Sequence, residues 1–208
     1  CDFCAVQAFF GPTYRRRPVP DVVEELAALR KRHRSFFFVD DNFAGDIEEA
    51  KDILRAIIPL KIGHWATQIS INAAEDGEFL RLLRRSGCAC VLVGFESLNP
   101  ETLRRMHKGV NLPGGDYRAA LANLRRHGIG VFATFVFGYD SDTEAAFEET
   151  LDFALDQGVY LAAFNHLIPF PGTPLHERLM REGRLTDTAW WLNTSYAFND
   201  VPFTPLAY

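Results

Sequence analysis

Two hydrophobic periods alternate along this chain. Val22, Leu26 and Leu29 recur at helical spacing, and their block, 19–33, begins behind prolines and Asp21, as helix starts do. The next run, SFFFV at 35–39, reads as a strand, with packing expected on both faces as in a central parallel strand. A helix at 46–58 carries Ile47, Ala50, Ile53, Leu54 and Ile57 on one stripe, and strand HWATQISI at 64–71 follows it. The alternation continues with helix 77–87, strand CVLVGF at 90–95, a short helix at 100–109, and helix 116–128 ended by Gly128. Strand GVFATFVF at 130–137, helix 143–158, strand VYLAAFNHLI at 159–168 and helix 173–183 complete it. A strand–helix repeat of roughly 30 residues is the signature of successive βα units in a parallel sheet.

Folds of this kind build their sites at the C-terminal ends of the strands. Those ends carry Asp40, Asp41 and Asn42, then Ser70 and Asn72, Glu96 and Ser97, Gly138, Tyr139 and Asp140, and finally Asn165 and His166. Strand alternation in HWATQISIN puts Gln68, Ser70 and Asn72 on one face, opposite Trp65, Thr67, Ile69 and Ile71. A polar face on a buried strand needs partners, and a ligand-lined barrel lumen would supply them. Duller roles compete at some positions. Asp40, Asp41 and Asn42 also suit capping of the helix at 46–57, His107 and His166 suit the surface or a satisfied core, and PGTP at 171–174 suits a turn before a helix start.

Composition narrows the class. The 208 residues are 48% hydrophobic and 13% aromatic, enough for one domain with a full core or a large piece of a barrel. The longest mostly apolar stretch, GIGVFATFVFGY, is well short of the roughly 20 residues of a membrane span, and no targeting segment opens the chain, so a soluble, cytoplasmic protein is expected. Net charge is −5. The basic runs RRR at 15–17 and RKRHR at 30–34 therefore do not make a nucleic-acid footprint, and helix-end charge explains the second. Of the four cysteines, Cys88 and Cys90 sit at an apolar strand start and are expected to pack. Cys1 and Cys4 form a C-x-x-C pair, which in an intracellular chain means metal or redox chemistry more often than a structural disulfide. The pair precedes the first helix and so occupies the place of a βα loop; restoring a strand before it would give six βα units, with the cysteines on the same rim as the carboxylates.

Several segments together resemble the radical S-adenosylmethionine (SAM) superfamily. CDFC at 1–4, with the aromatic Phe3 before its second cysteine, resembles the tail of that family's C-x-x-x-C-x-x-C loop, whose three thiolates hold a [4Fe–4S] cluster with one iron open to S-adenosylmethionine. The resemblance implies a further cysteine four positions before Cys1. VDDNFAGD at 39–46 is similar to the segment that meets the methionine amino group, although the family's glycine-glycine-glutamate is here Asp40-Asp41-Asn42. VGFESLNPETLRRMHKG resembles the segment where Glu96 and Ser97 would approach the ribose or nearby polar groups, and FVFGYDSDTEAAF the one whose Gly138 would let the backbone approach the adenine. NHLIPFPGTPLHERL closes the pattern, with the backbone at Leu167 and Ile168 expected at the adenine edge.

The segments look most like the branch with an N-terminal cobalamin-binding domain, which includes lipid and hopanoid methylases. The resemblance implies a partial (β/α)6 barrel of TIM-like type lacking its first strand. It divides the chain into a core at 1–183 and the start of a C-terminal extension, without helix or cap, at 184–208. It also implies cluster-dependent reductive cleavage of S-adenosylmethionine to a 5′-deoxyadenosyl radical, in the service of cobalamin-dependent methylation of an unreactive carbon. Cobalamin would be held by a domain outside these residues. The implied partners are a small-molecule or lipid substrate and an electron donor such as flavodoxin or ferredoxin, with no nucleic acid. With two of the three loop cysteines, the chain alone is expected to be inactive. A non-catalytic barrel holding a cluster or zinc is the alternative; a metal-independent acid–base enzyme is less well supported, since no two carboxylates have a diagnostic spacing.

Overall fold

A computed structural model describes residues 1–208 apart from 12, 14, 112–115, 198, 199, 207 and 208. Five strands, β1 (Ser35–Phe38), β2 (His64–Ile69), β3 (Cys88–Glu96), β4 (Gly130–Phe137) and β5 (Leu161–His166), form one sheet in sequence order. Every neighbouring pair is parallel. Each connection advances one strand through a helix, so the crossovers share one hand and lay their helices on one face of a partial barrel. These helices are α3 (Ile47–Ile57), α4 (Gly77–Ser86), α6 (Tyr117–Arg126) and α7 (Ala145–Asp156), while α5 (Pro100–Arg105), between β3 and α6, packs outside their core. The short α1 (Ala5–Phe10) and α2 (Val19–Leu29) precede the sheet and α8 (Pro174–Arg181) follows it.

Local chemistry sets the boundaries. Asp46 caps α3 by accepting from Glu48 N and Glu49 N, Asp76 caps α4 through Phe79 N at 2.8 Å, and Gly87 ends α4 at φ 98°, which a side chain would resist. Asn99, Asp116 and Thr173 cap α5, α6 and α8. The cap of α3 is thus Asp46, and Asp40, Asp41 and Asn42 do not share that role.

The two faces of the sheet differ. Trp65, Thr67 and Ile69 of β2, Val91, Val93 and Phe95 of β3, and Val131, Ala133, Phe135 and Phe137 of β4 alternate onto the helix side and are all buried. Their opposites Ala66, Gln68, Leu92, Gly94, Phe132 and Thr134 remain half-buried and line the lumen side. The expectation that 36–38 pack on both faces fails at one position: Phe36 and Phe38 pack on the core, but Phe37 faces the open side and is 55% exposed. A second correction concerns β2. It ends at Ile69, and residues Ile71–Glu75 turn into a 3₁₀ helix, so Asn72 leaves the Gln68–Ser70 face and is exposed.

A smaller cluster lies at the C-terminal end of the strands, where Leu103, Met106, Val136, Tyr139, Leu167, Leu175, Leu179 and Phe203 bury one another. Phe203 brings in the segment after 183, which also bridges Leu185 to Phe203 and bonds Thr204 N to Arg184 O at 2.9 Å. This segment contains a 3₁₀ turn at Trp190–Leu192, so it has one helical turn, but that turn carries no side-chain cap; Asp187 accepts from Ala189 N just before it. Among the described residues no helix is long and apolar enough to cross a membrane.

Candidate functional site

The turn that carries Cys1 and Cys4 is sewn to three parts of the rim through Asp2, one of the two residues between them. Asp2 N donates to Met106 O at 3.0 Å, just after α5, and Asp2 O accepts from Leu175 N at 3.0 Å in α8. The buried Asp2 carboxylate accepts from the hydroxyl of Tyr139, just after β4. Phe3 sets its edge against the same tyrosine ring, with centroids 6.4 Å apart. Both cysteines are free thiols, half-buried, and Cys4 stands at the start of α1. Tyr139 is 1% exposed, and burial first, then the Asp2 charge, raise the pKa of its hydroxyl far above the usual value, which keeps it a donor.

Tyr139 is itself held by a tight loop. Gly138 adopts φ 119°, and a Cβ there would lie 3.2 Å from Leu167 Cβ, so the position admits glycine for both conformation and space. Asp142 turns back beneath the loop and accepts from Gly138 N at 2.9 Å and Tyr139 N at 3.0 Å. Thr102 Oγ1 donates to the other oxygen of Asp142 at 3.1 Å, tying α5 to this loop. Burial raises the Asp142 pKa against these bonds, which favour the charged form. Asp140 points the other way, to Arg178 at 2.7 Å and Arg184 at 2.6 Å.

At the end of β3 a buried ion pair joins Glu96 to Lys108, and Asn111 Nδ2 donates to Gly94 O and Phe95 O at 2.9 Å each. Ser97 shapes the following turn, its Oγ accepting from Asn99 N at 3.0 Å. On the far side of the sheet Asn42 Oδ1 accepts from Ser70 N at 3.1 Å, which pins the loop after β1 to the end of β2. Asp40 and Asp41 are exposed beside it. Leu167 is buried with its N–H committed to Phe137 O at 2.7 Å, and Ile168 O accepts from Phe170 N at 3.0 Å.

Cys1, Phe3, Cys4, Asn42, Ser70, Glu96, Ser97, Gly138, Leu167 and Ile168 therefore all lie at the end of the sheet where the strands finish. Direct contacts join two groups, the cysteine turn with Tyr139 and Asn42 with Ser70, and Leu167 lies close enough to Gly138 to exclude a side chain there. Sequence reasoning did not single out Asp2, Lys108 or Asn111, and it read Tyr139 only as a strand-end residue. Cys88 and Cys90 open β3 away from this rim; burial raises the Cys88 thiol pKa to about 12, as suits packing.

Two half-exposed thiols on a fixed turn are soft donors suited to iron–sulfur or zinc chemistry. Among the described residues no group of three or more His, Cys, Asp or Glu side chains is placed to hold a metal ion.

Known proteins resemble this chain in sequence and in fold. The chain is 36% identical over 183 residues to bacteriochlorophyllide d C-12(1)-methyltransferase of Chlorobaculum tepidum, covering 86% of this chain and 40% of that protein. It is 30% identical over 192 residues to hopanoid C-2 methylase of Rhodopseudomonas palustris, covering 89% and 36%. The chain thus spans about two fifths of the length of these relatives. The fold matches the radical S-adenosylmethionine methyltransferase TsrM of Kitasatospora setae, solved with cobalamin and a [4Fe–4S] cluster bound, with a TM-score of 0.78 at 24% identity over 99% of this chain and 42% of that one. The model of the Radical SAM superfamily matches residues 1–154, from the cysteine turn through most of α7, and the chain belongs to that superfamily.

Proposed function

We propose that this chain is the cluster- and S-adenosylmethionine-binding core of a radical SAM methyltransferase. The observation that carries the reading is the location of the Cys1–Cys4 turn, which Asp2 fastens to the rim formed by the ends of β3 and β4. Cys1 and Cys4 would supply two thiolates to a [4Fe–4S] cluster, and the third would come from outside these residues. When bound, the cluster supplies an electron for reductive cleavage of S-adenosylmethionine. The chain's own work is to hold and orient. Phe3 and the Gly138 backbone would flank the adenosine, and Leu167 and Ile168 would present backbone to it. Glu96 and Ser97 would face the ribose side, and the loop at Asp40, Asp41 and Asn42, with Ser70, would face the methionine end. Asn72, exposed beyond the end of β2, is the least well placed of the expected contacts.

Similarity to methyltransferases acting on a bacteriochlorophyllide and a hopanoid supports methyl transfer to a carbon of a largely apolar small molecule or lipid. The fold match to a cobalamin-bound methyltransferase supports cobalamin as the methyl carrier, bound outside this chain. In this reading an electron donor such as flavodoxin or ferredoxin would reduce the cluster. The 208 residues alone, with two loop cysteines, would not hold a catalytic cluster.

Anaerobic reconstitution tests the reading. A polypeptide carrying this chain and a cysteine four positions before Cys1 is expected to take up about four iron atoms and as many sulfides, and Cys4→Ala to abolish uptake. Zinc at the wild-type turn with no iron uptake would overturn the assignment in favour of a non-catalytic module.

A further inference from the structure

The two residues between the thiols, Asp2 and Phe3, both touch one side chain, that of Tyr139, 137 residues from Asp2. We infer that Tyr139 is the positioning residue for the cluster loop, its hydroxyl fixing Asp2 and its ring fixing Phe3, so that the spacing and aim of the two thiols are set from β4 and not by the turn itself. The inference rests on the cluster-binding reading above.

Three features carry it. The turn has little structure of its own: its internal hydrogen bond, Cys4 N to Cys1 O, is 3.4 Å long, and α1 behind it has six residues and buries none of them. Its order therefore comes from outside, and among the described hydrogen bonds that leave it the one from the Tyr139 hydroxyl is made by a side chain to a side chain. Tyr139 in turn has little freedom. It is packed among Leu103, Met106, Val136, Leu167, Leu175 and Leu179, and its N–H, like that of Gly138, is held by Asp142. A side chain whose backbone and ring are both fixed can impose position on a neighbour, as a flexible one cannot. The arrangement also links two cofactor contacts in one rigid unit, because Gly138, expected against the adenosine, is the residue next to Tyr139.

Tyr139→Phe separates this role from packing, since it keeps the ring against Phe3 and removes only the hydroxyl. In the cluster-loaded polypeptide it is expected to leave the iron content unchanged but to speed iron loss to a chelator about tenfold, the factor for one charge-assisted hydrogen bond. It is also expected to broaden the electron paramagnetic resonance signal of the reduced cluster. Asp2→Asn, which keeps an acceptor oxygen, should retain the wild-type signal, whereas Asp2→Ala should match Tyr139→Phe and the double variant should be no worse than either single one. A wild type that takes up no cluster refutes the underlying reading. A loaded wild type whose signal and iron loss are unchanged by Tyr139→Phe refutes the positioning role alone.

Discussion

Glu96 and Lys108 meet in an ion pair at the end of β3, with side chains only 11% and 14% exposed. Glu96 reaches it from a left-handed backbone conformation, φ 62°, which costs a non-glycine residue about 1–2 kcal/mol. A break in register against β4 falls between Gly94 and Glu96, so the strand bulges where the carboxylate turns in. The ion pair holds the carboxylate in this strained position, and the two bonds from Asn111 to Gly94 O and Phe95 O fix the backbone that leads into it.

Glu96→Gln is accordingly expected to weaken S-adenosylmethionine binding by roughly 1–3 kcal/mol, the scale for losing a charge-assisted hydrogen bond in a desolvated place. Calorimetric titration of the cluster-loaded protein measures it, with iron content as the control. Affinity equal to wild type would reduce Glu96 to a structural partner of Lys108.

Gly94 lies beneath this pair. A Cβ there would collide with Glu96 Oε1 and come within 2.8 Å of Lys108 Nζ. Gly94→Ala should cost roughly 1–3 kcal/mol of stability, as overpacking does, and denaturant unfolding would read it. The same change in a Lys108→Ala background should cost less, because one colliding group is gone; equal costs in both backgrounds would place the strain elsewhere.

Much of this was legible in the chain because it depends on local period. The strand–helix alternation located all five strands, and with them the strand ends beside which Glu96, Gly138 and Asn42 lie. Pairings between distant residues were not legible. Lys108 sits in MHKG, which reads as the tail of a helix, and only the turn after Arg105 brings its ammonium back over β3. Tyr139 reads as one more aromatic in FVFGY, and nothing local says that its hydroxyl reaches Asp2. Asn72 went astray for the opposite reason, since alternation was extended past Ile69, where the backbone had already left the strand for a 3₁₀ turn.

The two classes of cysteine should separate chemically. Burial holds the Cys88 thiol at a pKa of about 12, so at pH 8 almost none of it is thiolate. Cys1 and Cys4 are half-exposed on the rim. Brief alkylation of the native, metal-free chain followed by mass spectrometry should modify Cys1 and Cys4 and spare Cys88, which should react only after unfolding. Native labelling of Cys88 at the rate of Cys4 would mean that the start of β3 is open.

Asp140 gives the fold a pH dependence with a definite sign. Burial raises its pKa, but hydrogen bonds and charge from Arg184 and Arg178 outweigh that, and the net shift is downward. A carboxylate whose folded pKa is depressed contributes stability in full above its unfolded value, near about 3.9, and loses it as pH falls through the lower folded value. Asp140→Asn should therefore cost about 1.5–3 kcal/mol at pH 7, the range for hydrogen bonds to charged groups. The gap to wild type should stay constant down to about pH 5 and close below about pH 4. Denaturant unfolding of both proteins across that range measures the gap, in which the other carboxylates cancel. Because Arg184 also donates to Thr204 O at 3.0 Å, the variant should loosen the segment after residue 183, seen as faster amide exchange near Thr204. A gap that persists unchanged below pH 4 would show that Asp140 acts there through packing and not through its charge.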